Sequence, residues 1–173
     1  VELNIFLAAL SASLLMASGN ILNDIYDIEI DKINKPLRPL PSGKITIKEA
    51  YGLYLFFIIV SVVLSLLVNQ GALIIVLISI HLLFLYSKYL KRILLVGNIT
   101  VAFLTGLVFI FGGVIVENPS AAIVPAVFAF LINLIREIVK DMEDVEGDTK
   151  AGVITFAVKF SNKKSKYVIL LIS

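Results

Sequence analysis

Apolar residues run through this chain in long unbroken stretches. They neither alternate nor recur on a single helix face. Five stretches approach the roughly 20 residues that a helix needs to cross a bilayer: Leu3–Leu22, Ile47–Val68, Ala72–Tyr86, Leu94–Val116 and Ala121–Val139. The third is short, and its ends are expected to run further. A sixth stretch starts near Tyr167. Membrane β-strands are about 10 residues long and alternating, so the pattern predicts an all-α, polytopic transmembrane helical bundle. The chain reads as one domain, 1–173, incomplete at both ends. It starts at Val1 inside one apolar run and stops at Ser173 a few residues into another. The first run has no basic leader and no small-residue cleavage site, so no signal peptide is expected.

The polar positions between these runs set the orientation. Asn69-Gln70-Gly71 and Glu117-Asn118-Pro119-Ser120 are tight and carry no basic residue. All 15 Lys and Arg residues lie in or beside the other three connections. Basic residues favour the cytoplasmic side, and helix parity independently puts those three connections on one side. The expectation is a multi-pass protein of the cell membrane with its charged face in the cytoplasm.

Composition agrees: the chain is 59% hydrophobic and only 16% charged, where a soluble domain has about 25%. It has no Cys, which excludes disulfides, thiol chemistry and a Cys-based zinc site, and one His. The bilayer is the expected partner; nucleic acid is not, and the oligomeric state is left open.

Acidic residues hardly influence topology, yet they crowd the same side in two clusters. Asp24, Asp27 and Asp31 are spaced three then four, and so are Asp141, Asp144 and Asp148. That spacing keeps three carboxylates on one helix face. Each cluster is followed by a glycine ahead of the next apolar run, Gly43 and Gly152, which makes a weak internal repeat. A single such run is usually a solvated helix end. Two matched runs at a membrane boundary point to function.

Stacked carboxylates call for positive charge, and three per column exceed the bases expected on the same face. Mg²⁺ suits hard oxygen ligands and is typically shared between one or two carboxylates and substrate phosphates. The six aspartates are therefore the candidate metal and catalytic residues. Asn20 and Asn23 are candidates for orienting ligands in the first column. The loop Asn34–Lys44 has Pro36, Pro39 and Pro41, which forbid a helix and predict an extended, stiff path. Its Arg38 and Lys44 are candidate phosphate contacts, as are Arg136 and Lys140 beside the second cluster. Tyr86 and Lys91 are candidates from the middle connection, where setting topology is an equally good reading. Asn133, Arg136 and Lys140 share one face and are expected to line a cavity. His81 is assigned to hydrogen-bonded packing. Asn98, Thr100 and Thr105 are assigned to bonds between helices, and Gly97, Gly106, Gly112 and Gly113 to close packing.

Asn23-Asp24-x-x-Asp27-x-x-x-Asp31, then Pro36-x-Arg38-Pro-Leu-Pro-Ser-Gly43, then Asp141-x-x-Asp144-x-x-x-Asp148 resemble the UbiA family of intramembrane prenyltransferases over nearly the whole chain. The resemblance implies nine helices around a central cavity, of which this chain holds five and the start of a sixth. It also implies that both aspartate motifs bind Mg²⁺ and a prenyl diphosphate, that cytoplasmic loops cap the site, and that the prenyl group passes to a lipophilic acceptor. Arg38–Gly43 and Lys140–Asp148 are similar to the family's archaeal ether-lipid and chlorophyll-forming branches. The compact Ile- and Lys-rich chain is more like the first. That branch adds a second geranylgeranyl chain to geranylgeranylglyceryl phosphate; aromatic, quinone-precursor and tetrapyrrole acceptors are the alternatives.

Three other classes fit less well. An ion-coupled transporter places its carboxylates near the midplane in broken helices, whereas these lie at one end. A membrane phosphotransferase needs a glycine directly after an aspartate of its motif, but Ile28 follows Asp27. A purely structural subunit has no use for paired acidic columns.

Overall fold

The computed structural model describes residues 1–143, 145, 149 and 155–172. Five helices carry the long apolar runs: α1 (Glu2–Tyr26), α3 (Ile47–Val68), α4 (Gln70–Lys88), α5 (Val96–Ile115) and α6 (Pro119–Glu143). All five are long and apolar enough to cross a membrane. A short α2 (Ile28–Asn34) continues from α1, and a 3₁₀ turn (Leu90–Arg92) joins α4 to α5. After the second acidic cluster come α7 (Phe156–Phe160) and α8 (Asn162–Ile172), the latter holding the predicted sixth run.

The ends of these helices follow from local chemistry. Thr46 opens α3 with a capping box: its hydroxyl accepts from the Glu49 N–H at 3.2 Å, and the Glu49 carboxylate accepts from the Thr46 N–H at 2.8 Å. This satisfies two amides that a helix start leaves unpaired. Asn69 alone separates α3 from α4, and its side-chain oxygen caps α4 by accepting from the Ala72 N–H. The predicted three-residue connection is thus a single extended residue, which lengthens the short third span. Pro119 begins α6, where a missing N–H costs nothing.

In lipid, helices associate through close packing and buried hydrogen bonds rather than water exclusion. The main pairings are α1 with α3 and α5 with α6, with α4 touching α1, α3 and α5. Ser11 and Ser61 clasp α1 to α3: each hydroxyl bonds the other's carbonyl, at 2.8 and 3.0 Å, and neither side chain is exposed. Ala8, Leu15, Ala72, Val76, Phe111 and Ile115 form a core shared by α1, α4 and α5. Outward faces of α3 and α6 present Phe56, Ile59, Leu66, Phe128 and Ile132, as helices facing hydrocarbon do. The molecule is a multi-pass, all-helical membrane bundle.

Several expected packing roles differ. Thr100 and Thr105 donate to Val96 and Val101 of their own helix, not across helices. An i−4 carbonyl is the nearest acceptor such a side chain finds. His81 is exposed and makes no hydrogen bond among the described residues. Gly112 faces open space, whereas Gly97, Gly106 and Gly113 lie against a neighbouring segment.

Candidate active site

The end of α1 positions the first carboxylates. Leu22 and Ile25 are buried, so the helix stays amphipathic past the membrane run and turns Asn20, Asn23 and Asp24 to the opposite side. Asp27 is non-helical, with φ −100° and ψ 4°, yet the backbone ladder passes through it: its N–H bonds Asn23 O at 3.0 Å, and the Asp31 N–H bonds Asp27 O at 2.8 Å. The break re-aims the chain slightly without scattering the column. Asp24, Asp27 and Asp31 all line one cavity of about 1170 Å³, together with Asn20 and Asn23.

Two cations meet this column. Arg38 Nη1 lies 2.8 Å from Asp24 Oδ1 and 2.7 Å from Asp31 Oδ2, and the Asp31 side chain is only 7% exposed. Lys91 Nζ lies 2.6 Å from Asp27 Oδ1 and donates to Asn23 Oδ1 at 3.1 Å. Asn23 in turn donates to Asp27 Oδ2. The bases on this face are thus more numerous than the spacing argument supposed, because the proline loop folds Arg38 back and Lys91 arrives from a distant connection. Removing one partner of such a half-buried set leaves a charge stranded, which is costly.

Both cations are placed by specific local structure. The proline loop is not extended; it is a run of turns, with Arg38 N bonded to Lys35 O, Ser42 N to Arg38 O and Gly43 N to Leu40 O. Prolines with fixed φ suit turns as well as extended chain. Leu40 is buried against Ile25 and Ala50, so the loop is pinned between α1 and α3 and Arg38 points inward. Gly43 closes the loop at φ +73°, a conformation that L side chains rarely adopt. Lys91 sits in the 3₁₀ turn, and a Cβ on Gly97 would meet Lys91 Cα at 3.0 Å and Leu90 O at 3.2 Å. Only glycine lets α5 approach the turn so closely.

Of the second cluster, Asp141 is described; Asp144 and Asp148 lie outside the described residues, as does Gly152. Asp141 Oδ2 accepts from Asn98 Nδ2 at 2.9 Å, the interhelical role foreseen for Asn98. Asp141 lines a smaller recess of about 100 Å³ with Asn98, Leu95 and Thr155. Tyr86, Lys91, Glu137 and Lys140 line both the recess and the large cavity. The Tyr86 hydroxyl lies in the field of Glu137, Asp27 and Asp141. The two acidic regions therefore adjoin around Tyr86.

Asn20, Asn23, Asp24, Asp27, Asp31, Arg38, Tyr86, Lys91 and Lys140 are brought to the cavity. Lys44, Arg136 and Asn133 are not. Lys44 is exposed beyond the point where Leu40 tucks in, and it lines neither space. Arg136 points outward, 68% exposed and paired with Glu137. The face of α6 that meets the cavity runs through Glu137 and Lys140, so Arg136 and Asn133 are off it. Glu137 and Lys35 line the cavity and were missed. Glu137, four residues before Asp141, was discoverable by helical spacing; Lys35 depends on the turns of the proline loop.

The donor set suits Mg²⁺. Among the described residues no three carboxylate or imidazole side chains are close enough to hold an ion alone. Mg²⁺ does not need that: one or two carboxylates, water and phosphate oxygens suffice. Asp24 and Asp31 each keep one oxygen outside their bonds to Arg38. The cavity is also two-sided. Its polar end holds the carboxylates and bases; its other end is lined by Ala12, Leu15, Ile75, Val76, Leu104 and Phe111. Such a space accepts an amphiphile with an anionic head and a hydrocarbon tail.

The family model described as the UbiA prenyltransferase family matches residues 2–173. The chain belongs to the UbiA prenyltransferase family. Digeranylgeranylglyceryl phosphate synthase of Methanosphaera stadtmanae is a UbiA-like relative 40% identical over 169 residues, which are 98% of this chain and 62% of that protein. A solved structure concerned with digeranylgeranylglyceryl phosphate synthase in membranes superimposes with a TM-score of 0.88 at 44% identity, covering 99% of this chain and 61% of the other. A UbiA homologue from Archaeoglobus fulgidus, bound to GPP and Mg²⁺, shares the fold with a TM-score of 0.89 at 23% identity, over 99% of this chain and 62% of that one. The chain spans about three fifths of the length of the relatives it matches.

Proposed function

We propose that the protein is a Mg²⁺-dependent intramembrane prenyltransferase. It moves a geranylgeranyl group from its diphosphate to a lipophilic acceptor, geranylgeranylglyceryl phosphate, in the synthesis of archaeal ether lipids. The observation that carries this reading is the two-sided cavity: three carboxylates and two paired bases above an apolar chamber. An ion pathway has no need of the chamber; a prenyl diphosphate needs both parts. The name of the Methanosphaera stadtmanae relative supplies the acceptor, and the GPP and Mg²⁺ of the Archaeoglobus fulgidus homologue accord with the donor.

Asp24, Asp27, Asp31, Asp141, Asp144 and Asp148 are assigned to the metal–diphosphate complex. Bound there, Mg²⁺ supplies charge neutralisation for the departing diphosphate. Arg38 and Lys91 hold the carboxylates in place and present positive charge to the diphosphate where negative charge grows. Asn23 fixes the Asp27 carboxylate. The apolar wall from Ala12 to Phe111 orients the prenyl tail and keeps water from the allylic carbon as it becomes cation-like. The basic residues of the connections support a cytoplasmic position for this end of the bundle.

The test is turnover by the purified protein in detergent with geranylgeranyl diphosphate, Mg²⁺ and a panel of acceptors. Geranylgeranylglyceryl phosphate should be prenylated, and chelation of Mg²⁺ should stop the reaction. Turnover of only an aromatic, quinone-precursor or tetrapyrrole acceptor would remove the acceptor assignment. Flux of an ion without product would remove the transferase.

A further inference from the structure

The cavity lining includes four carboxylates, and three of them are committed. Asp24 and Asp31 bond Arg38, and Asp27 bonds Lys91 and Asn23. Glu137 differs. Its Oε1 accepts from Arg136, whose side chain is 68% exposed, while the Glu137 side chain is 14% exposed. The bond therefore runs outward to a solvated guanidinium and is worth little. No hydrogen bond to Glu137 Oε2 occurs among the described residues. The cations divide in the same way. Arg38 and Lys91 are held by carboxylates, whereas Lys140 lines the same cavity with no ion pair within 4.0 Å among the described residues. Glu137 and Lys140 stand three residues apart on α6, one turn of one face, and they do not bond each other.

We propose that Glu137 and Lys140 form the acceptor headgroup site. Glu137 takes the proton of the attacking hydroxyl, and Lys140 binds the phosphate ester of the same molecule. This rests on the transferase reading above and deepens it. In a glycerol monophosphate every hydroxyl-bearing carbon lies within two carbons of the one that carries the phosphate. An acceptor of that class therefore needs a base and a cation side by side, and positions i and i+3 of a helix are about 5–6 Å apart at Cβ. The site is also well located. Both residues line the cavity and the recess, next to Tyr86 and Lys91, so the acceptor head meets the donor at the junction of the two acidic regions.

The step balances simply. The acceptor oxygen forms a bond to the allylic carbon while the bond from that carbon to the diphosphate oxygen breaks, its electron pair leaving with the diphosphate. The hydroxyl proton passes to Glu137 Oε2 and afterwards to water. Asp27 has both carboxylate oxygens engaged, by Lys91 and Asn23, and Asp24 and Asp31 are bridged by Arg38, whereas Glu137 Oε2 has no hydrogen bond among the described residues.

The test uses the purified protein in detergent with two acceptors, geranylgeranylglyceryl phosphate and the phosphate-free geranylgeranylglycerol. Glu137→Gln should lower kcat about a hundredfold or more, leave the affinity for geranylgeranyl diphosphate unchanged, and leave calorimetric binding of the phosphate acceptor within about twofold. Glu137→Asp should recover part of the lost rate. Lys140→Met should weaken binding of the phosphate acceptor about tenfold, measured without donor or Mg²⁺, and leave binding of the phosphate-free alcohol unchanged. Wild-type affinity for geranylgeranyl diphosphate in both variants shows that the fold is intact. A Glu137→Gln variant within about threefold of wild-type kcat overturns the base assignment. A Lys140→Met variant that weakens both acceptors equally, or the donor instead, overturns the phosphate assignment. Failure of the wild-type protein to transfer to any acceptor would instead strike the transferase reading.

Discussion

Asp24, Asp27 and Asp31 have the same spacing as Asp141, Asp144 and Asp148, but the first region and Asp141 are built differently. The first column crosses a helix break at Asp27 and is bound by Arg38, from the proline loop that follows it, and by Lys91, from the turn between α4 and α5. Asp141 rides on the last turn of α6, and its carboxylate accepts from the neutral amide of Asn98. Equal spacing therefore does not mean equal electrostatics. In the first region the protein supplies its own counter-charge and fixes the geometry. Asp141 accepts from an amide that α5 brings across to α6. Equal spacing can thus go with different bracing, cations on the first column and an interhelical amide on Asp141.

The largest expected effect tests whether both regions serve one reaction. Asp27→Ala should strand Lys91 and Asn23 and lower transfer about a hundredfold or more without preventing membrane insertion. Asp144→Ala should lower transfer by a similar factor. Near-normal turnover in both variants would remove the metal–diphosphate assignment. Loss in only one would show that the two regions are not partners.

The next effect separates the two kinds of counter-group. Arg38→Met removes the Nη1 donor that bridges Asp24 and Asp31, so the KM for prenyl diphosphate should rise about tenfold. Asn98→Ala removes a single hydrogen bond from Asp141 and should cost about threefold to tenfold. Equal losses measured by steady-state kinetics would erase the distinction between a charged and a neutral brace. A smaller effect concerns the turn that carries Lys91. Gly97→Ala should push the turn away from α5 by a few tenths of an ångström and raise KM about threefold, with kcat little changed. The smallest lies at the opposite end of the comparison, away from all charge. Ser11→Ala should lower stability by about 0.6 kcal/mol and leave kinetics untouched, as read by thermal unfolding in detergent and the standard assay.

Much of this was legible in the chain. The five spans follow from apolar run length alone, because a bilayer imposes a length that water does not. The four-residue extension of α1 past Leu22 was not, since Asn23 and Asp24 interrupt hydropathy while Leu22 and Ile25 keep the helix buried on one side. The carboxylate column was visible from spacing. Its pairing with Arg38 and Lys91 was not, because Lys91 is far from Asp27 in sequence, Arg38 is folded back by the turns of the proline loop, and their geometry depends on Leu40 and Gly97. The proline loop shows the same limit: proline excludes a helix, but it does not choose between extended chain and successive turns. Lys44 and Arg136 were selected by proximity in sequence to the acidic clusters, and helix phase and loop folding turned them away. Glu137 was passed over because it lies outside the three-four spacing that marked the aspartates.

The seating of Leu40 between α1 and α3 has a thermodynamic consequence for substrate capture. Ordering a free loop costs about 1 kcal/mol per residue in lost backbone freedom. Here turns, prolines and a buried leucine place that cost in folding, before any lipid arrives. Binding of the diphosphate should then show little entropy loss from the loop and a small heat-capacity change. Protease sensitivity of the loop should be nearly the same with and without substrate. The speed of capture would be set by lateral diffusion of the lipid, not by the closing of a lid.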